Sequence, residues 1–148
     1  MNENKARNDS AVGAADIRLL VLDIDGTIVD EANRIRNSVV QAIHSAQSLG
    51  VAVAIATGRS CQSSLPSYDS IGLTLPLICY EGALIRQPHD GFVHRHWPLE
   101  PRAAALVLTH TERLSLSGRL SVHFYVEDQL YVSNLNEAAV TYLEGSKI

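Results

Sequence analysis

Short apolar runs, each stopped by turn residues, alternate with stretches of helical period along the first half of this chain. Ile17-Arg-Leu-Leu-Val-Leu22 is rich in branched residues and ends abruptly in Asp23-Ile-Asp25-Gly26-Thr27, which predicts a buried strand feeding a tight turn. Val39, Ala42, Ile43, Ala46 and Leu49 then keep a helical period behind Asn37 or Ser38 as the cap. Gly50 stands where a helix-terminating glycine belongs. Val51–Ala56 predicts a second buried strand, ending in Thr57-Gly58-Arg59. A short helix is expected from Ser60, disturbed or ended by Pro66, and Leu75–Tyr80 is a third strand candidate.

Strands alternating with helices predict an α/β fold built from parallel βαβ units. In an open parallel sheet, ligands bind beyond the carboxyl ends of the strands. Asp23, Asp25 and Thr57 each lie just past an apolar run, so they are expected at one sheet edge. From about Ile85 the pattern changes. Phe92–Trp97 reads as a half-exposed strand, and Pro98–Thr111 as a helix with Pro101 in its first turn. His123–Val126 and Gln129–Ser133, joined by Glu127-Asp128, predict a hairpin. A last helix follows through Val140 and Leu143, capped by Asn134 or Asn136. The expected organisation is a flexible tail over 1–15, the N-terminal part of a three-layer parallel core over 16–83, and an incomplete α/β cap over 84–148.

Composition narrows the function classes. The 148 residues are about one domain's worth, and 46% hydrophobic with 19% charged residues is ordinary globular usage. A net charge of −4 argues against a nucleic-acid binder held by a basic surface. No apolar run approaches the ~20 residues of a membrane helix, and the polar start has no signal-like apolar stretch, so no membrane partner and a cytoplasmic setting are expected. Cys61 and Cys79 are too few for a disulfide framework or a zinc site and are expected to be reduced, buried thiols. His94 and His96 share a strand face but have no third ligand in view, which makes them surface or core histidines rather than a metal pair.

The acidic strand end carries the candidate chemistry. Asp is a poor strand former, and two close carboxylates resist ionising together unless a cation or hydrogen bonds compensate. Hard Mg²⁺ suits such a pair, since it takes oxygen ligands and keeps several waters. One carboxylate can then attack phosphorus to form an aspartyl-phosphate. The other can protonate the leaving alcohol and later activate water. Gly26 lets the backbone turn close to a ligand, and Thr27 offers a hydroxyl and a backbone donor. Thr57, with the N–H groups entering the next helix from Gly58 onward, suits phosphate oxygens. Two plainer readings stand beside this one: a solvated turn with incidental acids, and a calcium loop. A calcium loop needs Gly at its sixth position and Glu at its twelfth; counted from Asp23, Gly26 is fourth and Arg34 twelfth, behind a strand.

Taken together, these segments resemble a known family. Asp23-Ile-Asp25-Gly26-Thr27 behind an apolar strand resembles motif I of the haloacid dehalogenase superfamily. Ala54-Ile-Ala-Thr57-Gly58-Arg59 resembles motif II as written in its Cof-like phosphatase branch. Tyr80-Glu-Gly82-Ala83-Leu84-Ile85 resembles the segment that leads out of the core into an inserted α/β cap, with Glu81 where that branch usually has Asn. The resemblance implies a partial Rossmann-like core and Mg²⁺-dependent hydrolysis of a small phosphorylated metabolite. It makes Asp23 the nucleophile and a Mg²⁺ ligand, and Asp25 the acid/base with its backbone carbonyl also on the metal. Thr57 would hold the phosphoryl group. The second Asp favours phosphate chemistry over carbon–halogen chemistry. Glu81 and Arg59 are candidates for orienting substrate, Arg59 equally for pairing with an acid near the helix start.

The family's basic residue on a returning core segment and its Gly-Asp-rich acidic loop have no counterpart. The two lysines are Lys5 and Lys147, and Glu127-Asp128 falls in the expected hairpin turn. Two expectations follow. One is the phosphohydrolase. The other is a catalytically incomplete fragment serving as a phosphate-binding or association module, its apolar edge at Leu19–Asp23 covered by a second copy or by a missing C-terminal half.

Overall fold

The structure, a computed structural model, describes residues 17–115 and 120–146. The expected tail over 1–15, Asp16, Lys5 and Lys147 lie outside the described residues.

Strands β1 (Leu19–Leu22) and β2 (Ala52–Ile55) pair in parallel, with Leu19 opposite Ala52 and Leu22 opposite Ile55. A parallel pair needs a crossover, and helix α1 (Asn37–Ser48) provides it. The expected cap residues do not cap α1. Asn37 is already helical, and extended Arg36 precedes it with no side-chain bond to the first turn. The helix end is as anticipated: Gly50 takes φ +84° and donates to the Gln47 carbonyl at 2.9 Å, a conformation a side chain would strain.

Helix α2 (Cys61–Ile71) opens on Ser60, whose hydroxyl accepts from the Ser63 N–H at 3.1 Å. Pro66 does not end it. The proline sits mid-helix at the surface, and the run closes only at Gly72 with φ +73°. The opposite face of α2 is buried through Cys61, Ser64, Tyr68 and Ile71, a helical period that packs it on the sheet.

Strand β3 (Leu77–Cys79) is shorter than Leu75–Tyr80 and has two kinds of neighbour. Its Ile78 carbonyl accepts from the Thr57 N–H at 2.9 Å, in a parallel bridge with the end of β2. On its other side it pairs antiparallel with β4 (Leu84–Arg86), which pairs with β5 (Val93–His96). The parallel relation of β1, β2 and β3 is the one expected for the core, and β4 and β5 fall in the segment expected as the cap. The three-residue β4 carries too little period to register in sequence, and it turns the arrangement into a mixed one. Trp97 follows β5, its N–H bonded to the Ala83 carbonyl at 2.8 Å and its ring exposed.

Ile24, Ile43, Val53, Ile55, Tyr68 and Leu77 centre the core between α1, α2 and the sheet. Cys61 and Cys79 belong to it, buried and unbridged. Beyond β1 no strand pairs among the described residues. The Arg18 and Leu22 carbonyls accept from Ala52 and Ala56 N–H groups, so the alternate residues Leu19 and Val21 turn their backbone groups outward. Their side chains are 54% and 46% exposed.

Helix α3 (Pro101–Ser115) begins on its proline. The hairpin β6 (His123–Val126) and β7 (Gln129–Val132) has the expected register, Val126 opposite Gln129. Glu127 and Asp128 take φ +51° and +64° at its turn, the mirror-image turn that follows strand twist. Helix α4 (Glu137–Ser146) takes Asn136 as its cap, since the Asn136 Oδ1 accepts from the Ala139 N–H at 2.9 Å. The hairpin turn is tied back: Asp128 accepts from the Tyr80 hydroxyl, and from Arg86 Nη1 at 2.9 Å. Burial and then the Asp128 bond push the Tyr80 phenol well up from its ordinary value. Among the described residues no helix is long and apolar enough to cross a membrane.

Left-handed backbone strains Glu127 more than it strains Asn or Gly. Glu127→Asn is therefore expected to raise stability by about 0.5 kcal/mol, whereas Asp128→Gly, equally relaxed at the backbone, lowers it by removing the acceptor for Tyr80 and Arg86. Thermal denaturation of the two variants reads the opposite signs.

Candidate active site

The parallel register sets the site. Because Leu22 lies opposite Ile55, the turns after β1 and β2 emerge side by side at the carboxyl edge. Ile24 is fully buried, while Asp23 and Asp25 on either side of it are exposed. An isolated turn would not hold its acids in place; here the loop is fastened. The Thr27, Ile28 and Val29 N–H groups all return to the Ile24 carbonyl at 3.1–3.3 Å, and Gly26 takes φ +70°.

Arg59 joins the two turns. Its Nε donates to Asp25 Oδ2 at 2.8 Å, its Nη2 donates to Asp25 Oδ1, and Nη2 also reaches Asn33 Oδ1 at 2.9 Å. The guanidinium is 13% exposed and the Asp25 side chain 60%. A fork-to-fork pair of this kind is directional as well as attractive. The Arg59 hydrogen bonds hold the Asp25 carboxyl below its ordinary value, and Asp25 in turn raises Arg59, with a smaller contribution from nearby Asp23.

Thr57 is buried, and its Oγ1 accepts from the Arg59 N–H at 3.3 Å. Its carbonyl accepts from the Glu81 N–H at 3.3 Å, and the Arg59 carbonyl from the Tyr80 N–H at 3.0 Å. Tyr80 and Glu81 stand at φ +52° and +56°, a strained pair that carries the Glu81 carboxylate over Gly58. A Cβ on Gly58 would meet Glu81 Oε1 at 2.4 Å.

The fold thus gathers Asp25, Thr57, Gly58, Arg59 and Glu81 into one bonded cluster, with Asp23 beside it. Thr27 is exposed in the same turn as Asp25. It lines a groove with Leu20, Leu22, Ile28 and Val39 on the β1–α1 side, whereas Arg59 opens on the α2 side. Sequence reasoning did not find Asn33 or Asp128, each of which reaches the cluster or its border from a turn with positive φ. An Asn or Asp in a turn is the one signal both carry.

Among the described residues no three His, Cys, Asp or Glu side chains form a metal cluster. Two exposed carboxylates one residue apart still fit Mg²⁺, which typically takes one or two protein carboxylates and completes its shell with phosphate and water. The Asp25 carboxylate is engaged by Arg59, which leaves the Asp23 carboxylate and the Asp25 carbonyl as the donors.

The fold thus joins carboxylates at the edge of a parallel α/β sheet to a helix-opening threonine loop, and comparisons with known proteins show which family builds this arrangement. Residues 20–147 match the model of the haloacid dehalogenase-like hydrolase family. The chain belongs to that family. It is 31% identical over 113 residues to the pyridoxal phosphate phosphatase YbhA of Escherichia coli, covering 76% of this chain and 40% of the relative. It is 27% identical over 131 residues to the 5-amino-6-(5-phospho-D-ribitylamino)uracil phosphatase YitU of Bacillus subtilis, covering 83% and 48%. TM0651 of Thermotoga maritima superposes with a TM-score of 0.69 at 26% identity, over 89% of this chain and 48% of that one. The subclass IIB sugar phosphatase BT4131 superposes at 0.72 and 23% identity, over 88% and 49%, a likeness of fold. The chain spans about half the length of the relatives it matches.

The Arg59–Asp25 pair has a measurable signature. A carboxyl whose folded pKa is depressed contributes stability above its unfolded pKa and loses it as pH falls through the folded value. The Asp25 midpoint is therefore expected below the ordinary carboxyl value in the native protein, held there by the Arg59 hydrogen bonds, and moves back up in Arg59→Gln, as carboxyl carbon NMR reads. The stability lost in Arg59→Gln at pH 7 is no more than about 1 kcal/mol for so exposed an acid, and the difference between the two proteins closes as pH falls below the Asp25 midpoint.

Proposed function

We propose that this chain carries the phosphoryl-transfer part of a phosphatase acting on a small phosphorylated metabolite. The observation that carries the reading is the junction at Arg59, which holds Asp25 and the Thr57 loop together beside Asp23 at the sheet edge. We read residues 16–83 as the catalytic core and 84–148 as part of a cap. Two buried, unbridged thiols suit a reducing, cytoplasmic setting.

In this scheme the Asp23 carboxylate attacks phosphorus and the ester P–O bond breaks, with the leaving oxygen taking a proton from Asp25. Water then attacks the aspartyl-phosphate, its proton returns to Asp25, and the bond to Asp23 breaks, releasing phosphate. The Thr57 hydroxyl and the Gly58 N–H hold phosphoryl oxygens, Thr27 offers a further donor on the neighbouring turn, and Glu81 orients the ester from above Gly58. The Asp23 carboxylate and Asp25 carbonyl would hold Mg²⁺, which when bound neutralises charge on the phosphoryl oxygens. At rest Arg59 keeps Asp25 ionised. Protonation of Asp25 requires Arg59 to pass hydrogen bonds to the incoming phosphoryl group.

Turnover of p-nitrophenyl phosphate in Mg²⁺ buffer tests the reading. Asp23→Asn is expected to drop it to background and Asp25→Asn to cut it by about 10²–10⁴-fold. Wild-type protein no faster than the Asp23→Asn control overturns the proposal.

A second reading, an association module, is favoured by the β1 edge. Leu19 and Val21 expose apolar side chains beside an unpaired backbone ladder. The flanking groove of about 330 Å³ is lined by Leu20, Leu22, Ile28 and Val39. Such an edge is a template for pairing, here with a second copy of the chain. Sedimentation velocity is expected to show association that rises with concentration and disappears in Val21→Lys. A wild-type monomer across the same range would end this reading.

A further inference from the structure

Two nucleophiles that the phosphoryl-transfer scheme does not use share the core: Cys61, the first residue of α2, and Cys79, the last residue of β3. Both are buried, Cys61 at 6% exposure and Cys79 at 0%. They meet because the end of β2 runs beside β3. The Thr57 N–H bonds to the Ile78 carbonyl at 2.9 Å, and the Tyr80 N–H to the Arg59 carbonyl at 3.0 Å.

The two side chains touch. Cys79 donates a hydrogen bond to the Cys61 sulfur, which holds Cys61 below the ordinary thiol value against the opposing effect of burial. The same bond raises Cys79, and burial adds to the rise. Asp128 on the β6–β7 turn and Arg86 on β4 are the charges that face the pair. Asp128 raises each thiol and Arg86 lowers each. The helix N-terminus under Cys61 also favours a thiolate. The pair is therefore asymmetric: Cys61 is the better nucleophile and the nearer to solvent, and Cys79 is an enclosed, protonated neighbour.

We infer that Cys61 and Cys79 form a reversible oxidation site, which a small hydroperoxide converts to an intrachain disulfide that disables the threonine loop. The Cys61 thiolate attacks the peroxide and the O–O bond breaks, leaving a sulfenic acid on Cys61. The departing hydroxide takes up the proton that Cys61 released and becomes water. The Cys79 thiol then attacks the Cys61 sulfur, the S–O bond breaks, and the hydroxyl leaves with the Cys79 proton as a second water. Two thiols are oxidised by two electrons in all, and one peroxide is reduced to two waters. A dithiol reductant restores the pair by exchange.

A covalent S–S bond is shorter than thiol hydrogen-bond contact. The surrounding core is close-packed, so the backbone on either side takes up the approach. On one side lies the Thr57–Ser60 loop. On the other stand left-handed Tyr80 and Glu81, and Glu81 bonds back to the Thr57 carbonyl at 3.3 Å and sets its carboxylate over Gly58. Arg59, within that loop, carries the shift to Asp25. The thiol chemistry stands apart from the phosphatase reading; only the loss of activity rests on it.

Peptide mass spectrometry of the full chain, treated with hydrogen peroxide and quenched with iodoacetamide, tests the site. The expected product is a Cys61–Cys79 linked peptide, lighter by two hydrogens and fully reversed by dithiothreitol. Cys79→Ala is expected to stop at a dimedone-reactive sulfenic acid on Cys61. Cys61→Ser, at the margin of the core, is expected to stay unmodified at Cys79, and its melting profile by circular dichroism checks that it is folded. Turnover of p-nitrophenyl phosphate is expected to fall at least about tenfold in the bridged protein and to recover with dithiothreitol. Unmodified thiols, a sulfinic acid on Cys61 of the wild type, or a link between two chains overturns the oxidation site. Undiminished turnover by the bridged protein overturns its control of the loop. Absence of turnover in the reduced protein overturns the phosphatase reading and the control with it, while mass alone still decides the bridge.

Discussion

A guanidinium shared between two turns is the constraint on which the rest of this molecule hangs. Arg59 arrives at the end of β2, Asp25 at the end of β1, and they lie 34 positions apart in sequence. Neither turn would hold a fixed acid by itself. The parallel register brings the turns side by side, and the bidentate pair then sets the distance between the acidic loop and the threonine loop. Asn33, bonded to the same nitrogen, extends the hold to the far side of the acidic loop. Preorganisation of this kind matters for phosphoryl transfer, where positioning and electrostatics supply most of the catalysis.

Much of the framework was legible because local signals agreed with the tertiary fold. The β1 and β2 runs, a helix start near Ser60, Gly50 as a terminator and the Glu127-Asp128 hairpin turn all have local causes, and all stand in the structure. The misses have physical causes too. Asn37 looked like a cap, but Arg36 ends the extended segment one residue earlier. Pro66 was expected to disturb or end its helix, yet α2 runs on to Ile71; the proline lies on the exposed face, and the Gln62 carbonyl it leaves without a donor belongs to an exposed residue. The short β4 has no period to read. In the candidate site, the motif residues were visible because each follows an apolar run. Asn33 and Asp128 were not, since they act through partners 26 and 48 positions distant.

Among the described residues, the bare flank of β1 is a fact about packing. A strand that is apolar on its faces and unpaired along its ladder leaves hydrogen-bonding groups and side chains in water together. The other flank has no such gap, because β3 closes on β2 through Thr57 and Ile78. The acidic turn thus rises from the least supported strand of the sheet and leans on the better supported one through Arg59.

The chain has a single tryptophan, Trp97, whose backbone is fastened to Ala83 while its indole faces water. Ala83 directly follows the strained Tyr80–Gly82 turn that joins β3 to β4 and is bonded to the threonine loop. The molecule therefore carries its own optical reporter at the seam between its halves, readable by emission and quenching without any label.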